Sequence, residues 1–286
     1  MEIDLAQAEW VVTAYYAREM RMIETLEKGL DPHVETGCLI SGAPRDVVIA
    51  DDRLVGHQTD PEFILDLRKD LPKGPWFLPR SMSIRQAGKK GNHGLNYDEG
   101  YKTFALQNEI DEVEAKIIVE KYHNGYPGLR QMYSSIKEQL RRDMTLTNCL
   151  GSKRVFRLAW GQVLLKAAYA QIPQSTVGDV GKIGLRRIYE DEWLRHYDRC
   201  VTMGNVHDSI PNSVRFDSIE ELAEIMSRCC QHLTVPLEYH NRTFTLKTDV
   251  KVGKNWGEMH TVSITDNPIE GLRGVLDQLG IAPVAQ

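Results

Sequence analysis

The feature that most constrains the fold is a set of charged and aromatic residues that recurs every four positions: Arg85, Lys89, His93 and Tyr97. On a helix, this spacing places the four side chains on one slowly drifting face. Two cations followed by two rings could hold a triphosphate and stack on bases. An amphipathic helix with an ordinary polar edge would show the same spacing.

Glycine is unexpectedly frequent in the same helix, at three positions: Gly88, Gly91 and Gly94. A glycine inside a helix costs about 1 kcal/mol relative to alanine, so something other than helix stability must favour it. We therefore expect a ligand or a moving helix to approach this helix closely.

Composition narrows the class of protein. With 286 residues, 42% of them hydrophobic and 26% charged, the chain can bury a substantial core. No run of about 18 apolar residues predicts a membrane span, and Met1 is followed by acids rather than by a signal peptide. The five cysteines form no CxxC pair, which favours reduced thiols in the cytoplasm over a zinc site. The net charge of −5 argues against a protein that binds nucleic acid over most of its surface. However, six cations cluster within residues 136–157.

The hydrophobic pattern indicates a helix-rich first half and a mixed second half. Residues 44–79 read as an irregular connection apart from one short helix. The helices are predicted at residues 5–19, 61–69, 83–97, 103–122, 127–142, 157–171, 174–196, 218–231 and 267–280. The strands are predicted at residues 200–206, in the following segment to 216, at 243–252 and at 259–264.

Two carboxylates lie at positions that suit a metal site. Asp4 is at a junction of strand and helix, and Asp208 is at the tip of a predicted hairpin. Two-metal phosphoryl transfer needs carboxylates on rigid elements, with substrate phosphates and water as further Mg²⁺ ligands. A helix N-cap at Asp4 and a plain turn residue at Asp208 are the alternative interpretations.

Several segments resemble, in order and separation, motifs of the family A DNA polymerases, the DNA polymerase I-like enzymes. Residues 4–9 (DLAQAE) resemble motif A, residues 85–97 resemble motif B, and residues 206–208 (VHD) resemble motif C. Three further segments are similar to family signatures: residues 174–179 (QSTVGD), 31–33 (DPH) and 253–256 (GKNW). The resemblance covers essentially the whole chain.

The resemblance implies roles for single residues. Asp4 and Asp208 would hold two Mg²⁺ ions. The residues that would contact the incoming deoxynucleotide (dNTP) are Arg85, Lys89, His33, His93, Tyr97 and Glu9. Lys89 would also be catalytic, Tyr97 would stack at the templating position, and Glu9 would be the steric gate against a 2′-hydroxyl. The residues that would contact the primer–template DNA are Lys153, Arg154, Lys166, Gln174, Asn205 and His207.

The implied fold class is α+β: a polymerase palm, formed by an antiparallel sheet with flanking helices, plus helical fingers. The palm is expected at residues 1–24 and 156–286 and the fingers at residues 25–155. Only three residues precede Asp4, so thumb and exonuclease regions are expected to be absent. A missing N-terminal polymerase segment or chain is therefore a candidate partner, and a phage source would fit.

The implied function is template-directed DNA synthesis with Mg²⁺, without a membrane partner. Two alternatives remain open. A catalytically incomplete DNA-binding fragment, or half of a split polymerase, would keep the cations and lose metal-dependent activity. A single-subunit RNA polymerase is the other alternative, because Ser209 follows Asp208 where family A usually has Glu; Glu9 argues against it.

Overall fold

The computed structural model describes residues 1–262 and 268–281. The α-helices are α1 (Ala8–Tyr16), α2 (Met20–Glu27), α3 (Pro32–Ser41), α4 (Arg45–Val55), α5 (Pro61–Leu67), α6 (Ile84–Gly94), α7 (Tyr101–Asn108), α8 (Glu112–Gly125), α9 (Pro127–Asp143), α10 (Gln162–Glu190), α11 (Glu192–Arg195), α12 (Ile219–Leu233) and α13 (Pro268–Leu279). The strands are β1 (Glu2–Leu5), β2 (Thr145–Thr147), β3 (Lys153–Val155), β4 (Cys200–Thr202), β5 (Ser209–Val214), β6 (Leu237–Tyr239), β7 (Arg242–Phe244), β8 (Thr248–Gly253) and β9 (Met259–Val262). Short 3-10 turns lie at Arg68–Asp70, Leu95–Tyr97 and His196–Asp198.

The chain divides into two compact units. The first, which we call the sheet unit, comprises Met1–Glu9, Asn148–Ser152 and Pro173–Gln286. The second, the helical unit, comprises Trp10–Thr147 and Lys153–Ile172. Among the residues that the structure describes, no helix combines the length and the apolar character needed to cross a bilayer.

The sheet unit is built on five strands in the order β4-β5-β1-β8-β9, with all neighbours antiparallel. Side chains alternate between the two faces of a strand. On the central strand β1, Ile3 and Leu5 are buried on one face, together with Val250, which is directly opposite Ile3 on β8. Glu2 and Asp4 therefore point to the opposite face of the sheet, which carries polar residues.

Helices α3 and α6 pack against each other along the helical unit's most extensive contact between two elements. A Cβ atom added at Gly88 would overlap the carbonyl oxygen of His33 and would lie 2.7 Å from the backbone nitrogen of Gly37. The expectation of close approach at this helix is therefore confirmed at Gly88, but the approaching group is the backbone of α3 rather than a ligand.

We expect Gly88→Ala to destabilise the protein, because α3 and α6 would have to separate to admit the methyl group. Overpacking of this kind costs about 1–3 kcal/mol. Gly178→Ala is the matched control, since a Cβ atom at Gly178 in α10 meets nothing within 4 Å; it should raise stability slightly. Urea denaturation measures both free energies of unfolding, and shifts of the same sign would contradict the packing argument.

The helix predicted at residues 103–122 is wrong, because the chain forms α7 and α8 instead. Glu109 ends α7 in the left-handed region with φ of 55°, and Asp111 caps α8 through its side chain. Leu106 and Val113 from the predicted apolar face are 80% and 67% exposed. Apolar residues on either side of the break happened to match a helical period.

Other boundaries also differ from the predictions. The predicted helix at residues 5–19 starts only at Ala8, after strand β1, and the connection at residues 44–79 contains α4. Two helices predicted around Pro173 are the single helix α10, because one missing N–H does not stop a helix whose buried face continues on both sides. Strand β4 is shorter than predicted. The predictions at residues 263–264 and 267 lie outside the described residues.

Candidate metal and nucleotide sites

The hairpin that carries Asp208 is held by a tight two-residue turn. Val206 N–H donates to the carbonyl of Ser209 at 2.9 Å, and Ser209 N–H donates back at 3.0 Å. His207 adopts a φ of 57° at the tip. The N–H of Leu5 donates to the carbonyl of Asp208 at 3.1 Å. The backbone of Asp208 is thereby fixed to the central strand, one residue from Asp4.

The carboxyl groups of Asp4 and Asp208 meet. Burial, followed by the charge of Asp208 and a hydrogen bond to it, raises the pKa of Asp4 to about 6. Two ionised carboxylates that lie side by side repel each other unless a proton or a cation lies between them. Their hard oxygen donors are the kind that Mg²⁺ prefers, so the pair fits a magnesium site.

The neighbours of Asp4 across the sheet complete this polar face. Ser209 is opposite Asp4 on β5, and Asp249 is opposite it on β8. Directly opposite residues in an antiparallel pair share a face of the sheet. Sequence reasoning missed Asp249, although its place in an alternating strand near the end of the chain was a usable signal. In the described part of the chain, no three His, Cys, Asp or Glu side chains converge to hold a metal.

In the helical unit, the four predicted residues Arg85, Lys89, His93 and Tyr97, here called the cationic stripe, lie along α6 and the 3-10 turn after it. Lys89 and His93 are exposed, whereas Arg85 and Tyr97 are half-buried. Arg85 is ion-paired with Asp31 at 2.8 Å and lies 3.8 Å from Asp52. Two carboxylates therefore fix the guanidinium of Arg85 before any ligand binds, which the sequence did not indicate.

His33, which comes from α3, lies beside the same group of side chains. It is 8% exposed, and its ring lies 6.1 Å from the ring of His93. Burial lowers the pKa of His33 to about 4; Asp31 opposes this shift, while Arg85, His93 and Lys89 reinforce it. The imidazole is therefore neutral at neutral pH, beside three cationic or potentially cationic side chains.

The predicted DNA contacts fall in both units. Lys153, Arg154 and Lys166 in the helical unit are exposed, and Arg154 donates to Gln171 at 2.8 Å. Gln174, Asn205 and His207 in the sheet unit are also exposed.

The signature at residues 174–179 includes residues with structural roles. Asp179 accepts a hydrogen bond from Asn148 Nδ2 at 2.8 Å, and Ser175 Oγ lies 3.1 Å from the same nitrogen. Thr176 Oγ1 is 3.0 Å from the hydroxyl of Tyr239. These contacts tie α10 to the turn at Asn148–Ser152 and to strand β6. Within the signature, Gln174 remains as the candidate DNA contact.

The structure thus brings together Asp4 with Asp208, and His33 with Arg85, Lys89 and His93. Glu9 lies in the first turn of α1 and Tyr97 in the 3-10 turn after α6. Their roles as gate and stacking residue stay predictions, as do the assigned DNA contacts and the palm and fingers boundaries.

Comparison with known protein families identifies the chain. The family model described as "DNA polymerase family A" matches residues 80–258, more than half of the sequence. The chain belongs to DNA polymerase family A. The predicted family membership is therefore confirmed.

The proteins of known name that this chain resembles are distant from it in sequence. DNA polymerase I of Helicobacter pylori is 22% identical over 262 residues, which cover 90% of this chain and 25% of that protein. DNA polymerase I of Thermus aquaticus is 22% identical and is matched over 89% of this chain and 26% of its own length. DNA polymerase theta of Drosophila melanogaster is 21% identical over 82% of this chain and 12% of its own length. The chain thus spans about a quarter or less of these relatives.

The fold is similar to part of a solved polymerase structure. That structure is the POL domain of Pol1 from M. smegmatis, in complex with DNA primer–template and dNTP. The TM-score is 0.62 at 20% sequence identity, and the match covers 86% of this chain and 38% of that chain. The predicted α+β polymerase fold is confirmed.

Proposed function

We propose that this family A chain catalyses template-directed DNA synthesis, in which a primer 3′-hydroxyl attacks the α-phosphate of a dNTP and pyrophosphate leaves. The observation that carries the proposal is the meeting of Asp4 and Asp208 on a strand and a tight turn that are hydrogen-bonded to each other. Phosphoryl transfer needs positioning and charge neutralisation more than a nucleophilic side chain. The free cysteines favour a reducing, cytoplasmic setting.

Asp4 and Asp208 would hold magnesium. When bound, the metal supplies Lewis-acid activation of the 3′-hydroxyl and stabilises the charge on the phosphate oxygens. The contribution of the protein is rigidity: Asp4 lies on the central strand, and the turn holds Asp208 beside it. Mutual repulsion of the two carboxylates favours cation binding.

Arg85, Lys89 and His33 would bind the triphosphate. Lys89 offers an exposed point charge, and the pairing of Arg85 with Asp31 fixes its guanidinium in one orientation. His33 would add an uncharged N–H donor. Lys89→Ala should lower incorporation mainly by weakening nucleotide binding, and Lys102→Ala in α7 is an exposed control that should change nothing. Nucleotide titrations in a primer-extension assay measure the effect, expected at about tenfold or more.

The DNA would contact Lys153, Arg154 and Lys166 through its backbone phosphates, and Gln174, Asn205 and His207 through the minor groove. The minor groove is nearly degenerate among base pairs, so contacts there suit an enzyme that must accept every sequence. Phosphate contacts predict that DNA binding weakens steeply as salt rises.

Primer extension by the purified chain tests the function. The assay compares deoxynucleotides with ribonucleotides in Mg²⁺, using wild type and Glu9→Ala. We expect the wild type to add deoxynucleotides, and Glu9→Ala to admit ribonucleotides at least about tenfold better, because the side chain no longer excludes the 2′-hydroxyl. Efficient ribonucleotide addition by the wild type would support the RNA polymerase alternative. DNA binding without any incorporation would support the incomplete-fragment alternative.

A further inference from the structure

A buried hydrogen-bond network connects α6 to His33. Asn92, 4% exposed, places its Nδ2 atom 3.2 Å from the carbonyl oxygen of Pro32 and 3.2 Å from His33 Nδ1. Its Oδ1 atom accepts from Thr36 Oγ1 at 2.9 Å. The hydroxyl of Tyr126 lies 2.8 Å from the same Thr36 oxygen. Asn92 thus has partners on both ends of its amide.

The chemistry of these groups fixes every proton in the network. The carbonyl of Pro32 can only accept, so the amide nitrogen of Asn92 must face it, and Oδ1 must face Thr36. The Thr36 hydroxyl donates its single hydrogen to Oδ1. Tyr126 must therefore be the donor in its hydrogen bond with Thr36. The second N–H of the Asn92 amide is directed at His33 Nδ1. That nitrogen must be an unprotonated acceptor, which leaves the hydrogen of the neutral ring on Nε2.

We propose that Asn92 is a positioning residue that holds His33 in its Nε2–H tautomer, ready to donate to an anionic oxygen of the nucleotide. The proposal rests on the proposed function for the identity of the ligand, whereas the tautomer itself does not depend on any ligand. Lowering of the pKa of His33 by burial agrees with a ring that stays neutral. Sequence reasoning missed Asn92, which lies on α6 beside the cationic stripe, seven residues after Arg85.

The first test measures the tautomer directly. Protein labelled with ¹⁵N at its nine histidines is studied by long-range ¹H–¹⁵N NMR near neutral pH, and His33→Gln assigns the signal of His33. In the wild type we expect Nε2 of His33 to be protonated and Nδ1 to be unprotonated. A protonated Nδ1 in the wild type would overturn the proposal without any variant being needed.

Asn92→Asp should change the proton on His33. A carboxylate can only accept, so it keeps the bond from Thr36 but requires a hydrogen on His33 Nδ1. We expect Nδ1 to become protonated and the pKa of His33 to rise. Asn96→Asp makes the same change in the 3-10 turn after α6. Asn96 accepts from the hydroxyl of Tyr122 and donates only to the backbone carbonyl of Asn92, so this variant leaves the Asn92 amide in place and should leave the His33 tautomer unchanged. An unchanged tautomer in Asn92→Asp would contradict the proposal.

The second test connects the tautomer to ligand binding, with inorganic triphosphate as the probe. In Asn92→Asp, His33 should donate from Nε2 as an imidazolium at low pH and lose that donor at high pH. The ratio of dissociation constants, variant to wild type, should therefore rise about tenfold from about pH 6 to about pH 8.5. Protonation of the phosphate itself cancels in this ratio. Other charges around His33 (Asp31, Arg85, Lys89 and His93) are common to both proteins.

The His33→Gln background distinguishes a failure of the positioning role of Asn92 from a failure of the proposed function. In that background, Asn92→Asp should change binding without any dependence on pH, because the titrating ring is gone. The same pH dependence with Gln at position 33 would overturn the positioning role. Absence of triphosphate binding in the wild type, together with the expected tautomer, would instead count against the proposed function while leaving the role of Asn92 in place.

Discussion

Asp208→Asn is expected to reduce nucleotide incorporation by at least about a thousandfold while leaving the fold intact. The asparagine side chain has nearly the same size as that of aspartate. The turn at residues 207–208 is held by backbone hydrogen bonds, which the substitution does not change. The loss of one of two carboxylates removes half of the charge that would hold magnesium. Single-turnover primer extension measures the rate, and Mn²⁺ binding followed by electron paramagnetic resonance measures the metal affinity.

The free energy of unfolding of Asp208→Asn gives an independent test of the repulsion between the two carboxylates. Asp4 and Asp208 carry like charges close together and therefore repel each other, which adds to burial in raising the pKa of Asp4. Asp208→Asn removes that repulsion, so the free energy of unfolding should be unchanged or slightly higher. Asp277→Asn in α13 removes an exposed carboxylate of the same unit and should alter neither activity nor Mn²⁺ binding. Full activity of Asp208→Asn would rule out the metal role.

Arg68→Met is expected to destabilise the helical unit by about 3–5 kcal/mol. Arg68 Nε lies 2.6 Å from Asp51 Oδ1, and its Nη2 atom donates to Asp51 at 3.0 Å and to the carbonyl of Met82 at 3.0 Å. Asp51 is fully buried and also accepts from the N–H of Ile84 at 2.6 Å. Without the Arg68 guanidinium, the Asp51 carboxylate would be left buried with no cation beside it.

This ion pair lies at the start of α6, the helix that carries Arg85 and Lys89. Urea denaturation followed by circular dichroism measures the free energy of unfolding of Arg68→Met. Lys69→Met is the matched control, because Lys69 pairs with Asp66 at the surface, with side-chain exposures of 70% and 59%. We expect no measurable shift for the control. A similarly small shift for Arg68→Met would contradict the importance of the buried pair.

The sequence was sufficient where local chemistry determines the structure. Asp4 and Asp208 could be placed on a strand and a hairpin tip because strand alternation and turn residues are short-range signals. The capping residue Ser218 likewise predicted the start of α12, where its side chain accepts from the N–H of Glu221. The stripe along α6 followed from helical periodicity alone.

The sequence was not sufficient where distant segments meet. Nothing in the residues around Arg85 indicates that Asp31, 54 positions away, occupies its guanidinium. The reason for Gly88 is the backbone of α3, which no local pattern contains. Asn92 reads as an ordinary polar residue until the fold places Pro32, His33 and Thr36 around it. Each of these features depends on how α3 packs on α6.

The most direct test of the central claim is single-nucleotide incorporation by the purified chain opposite each of the four template bases. Each reaction contains Mg²⁺, a primer–template and one of the four deoxynucleotides, and is repeated with Asp4→Asn. The proposed function predicts that only the complementary deoxynucleotide is added and that Asp4→Asn abolishes the addition. Addition that ignores the template base, or that persists in Asp4→Asn, would contradict it.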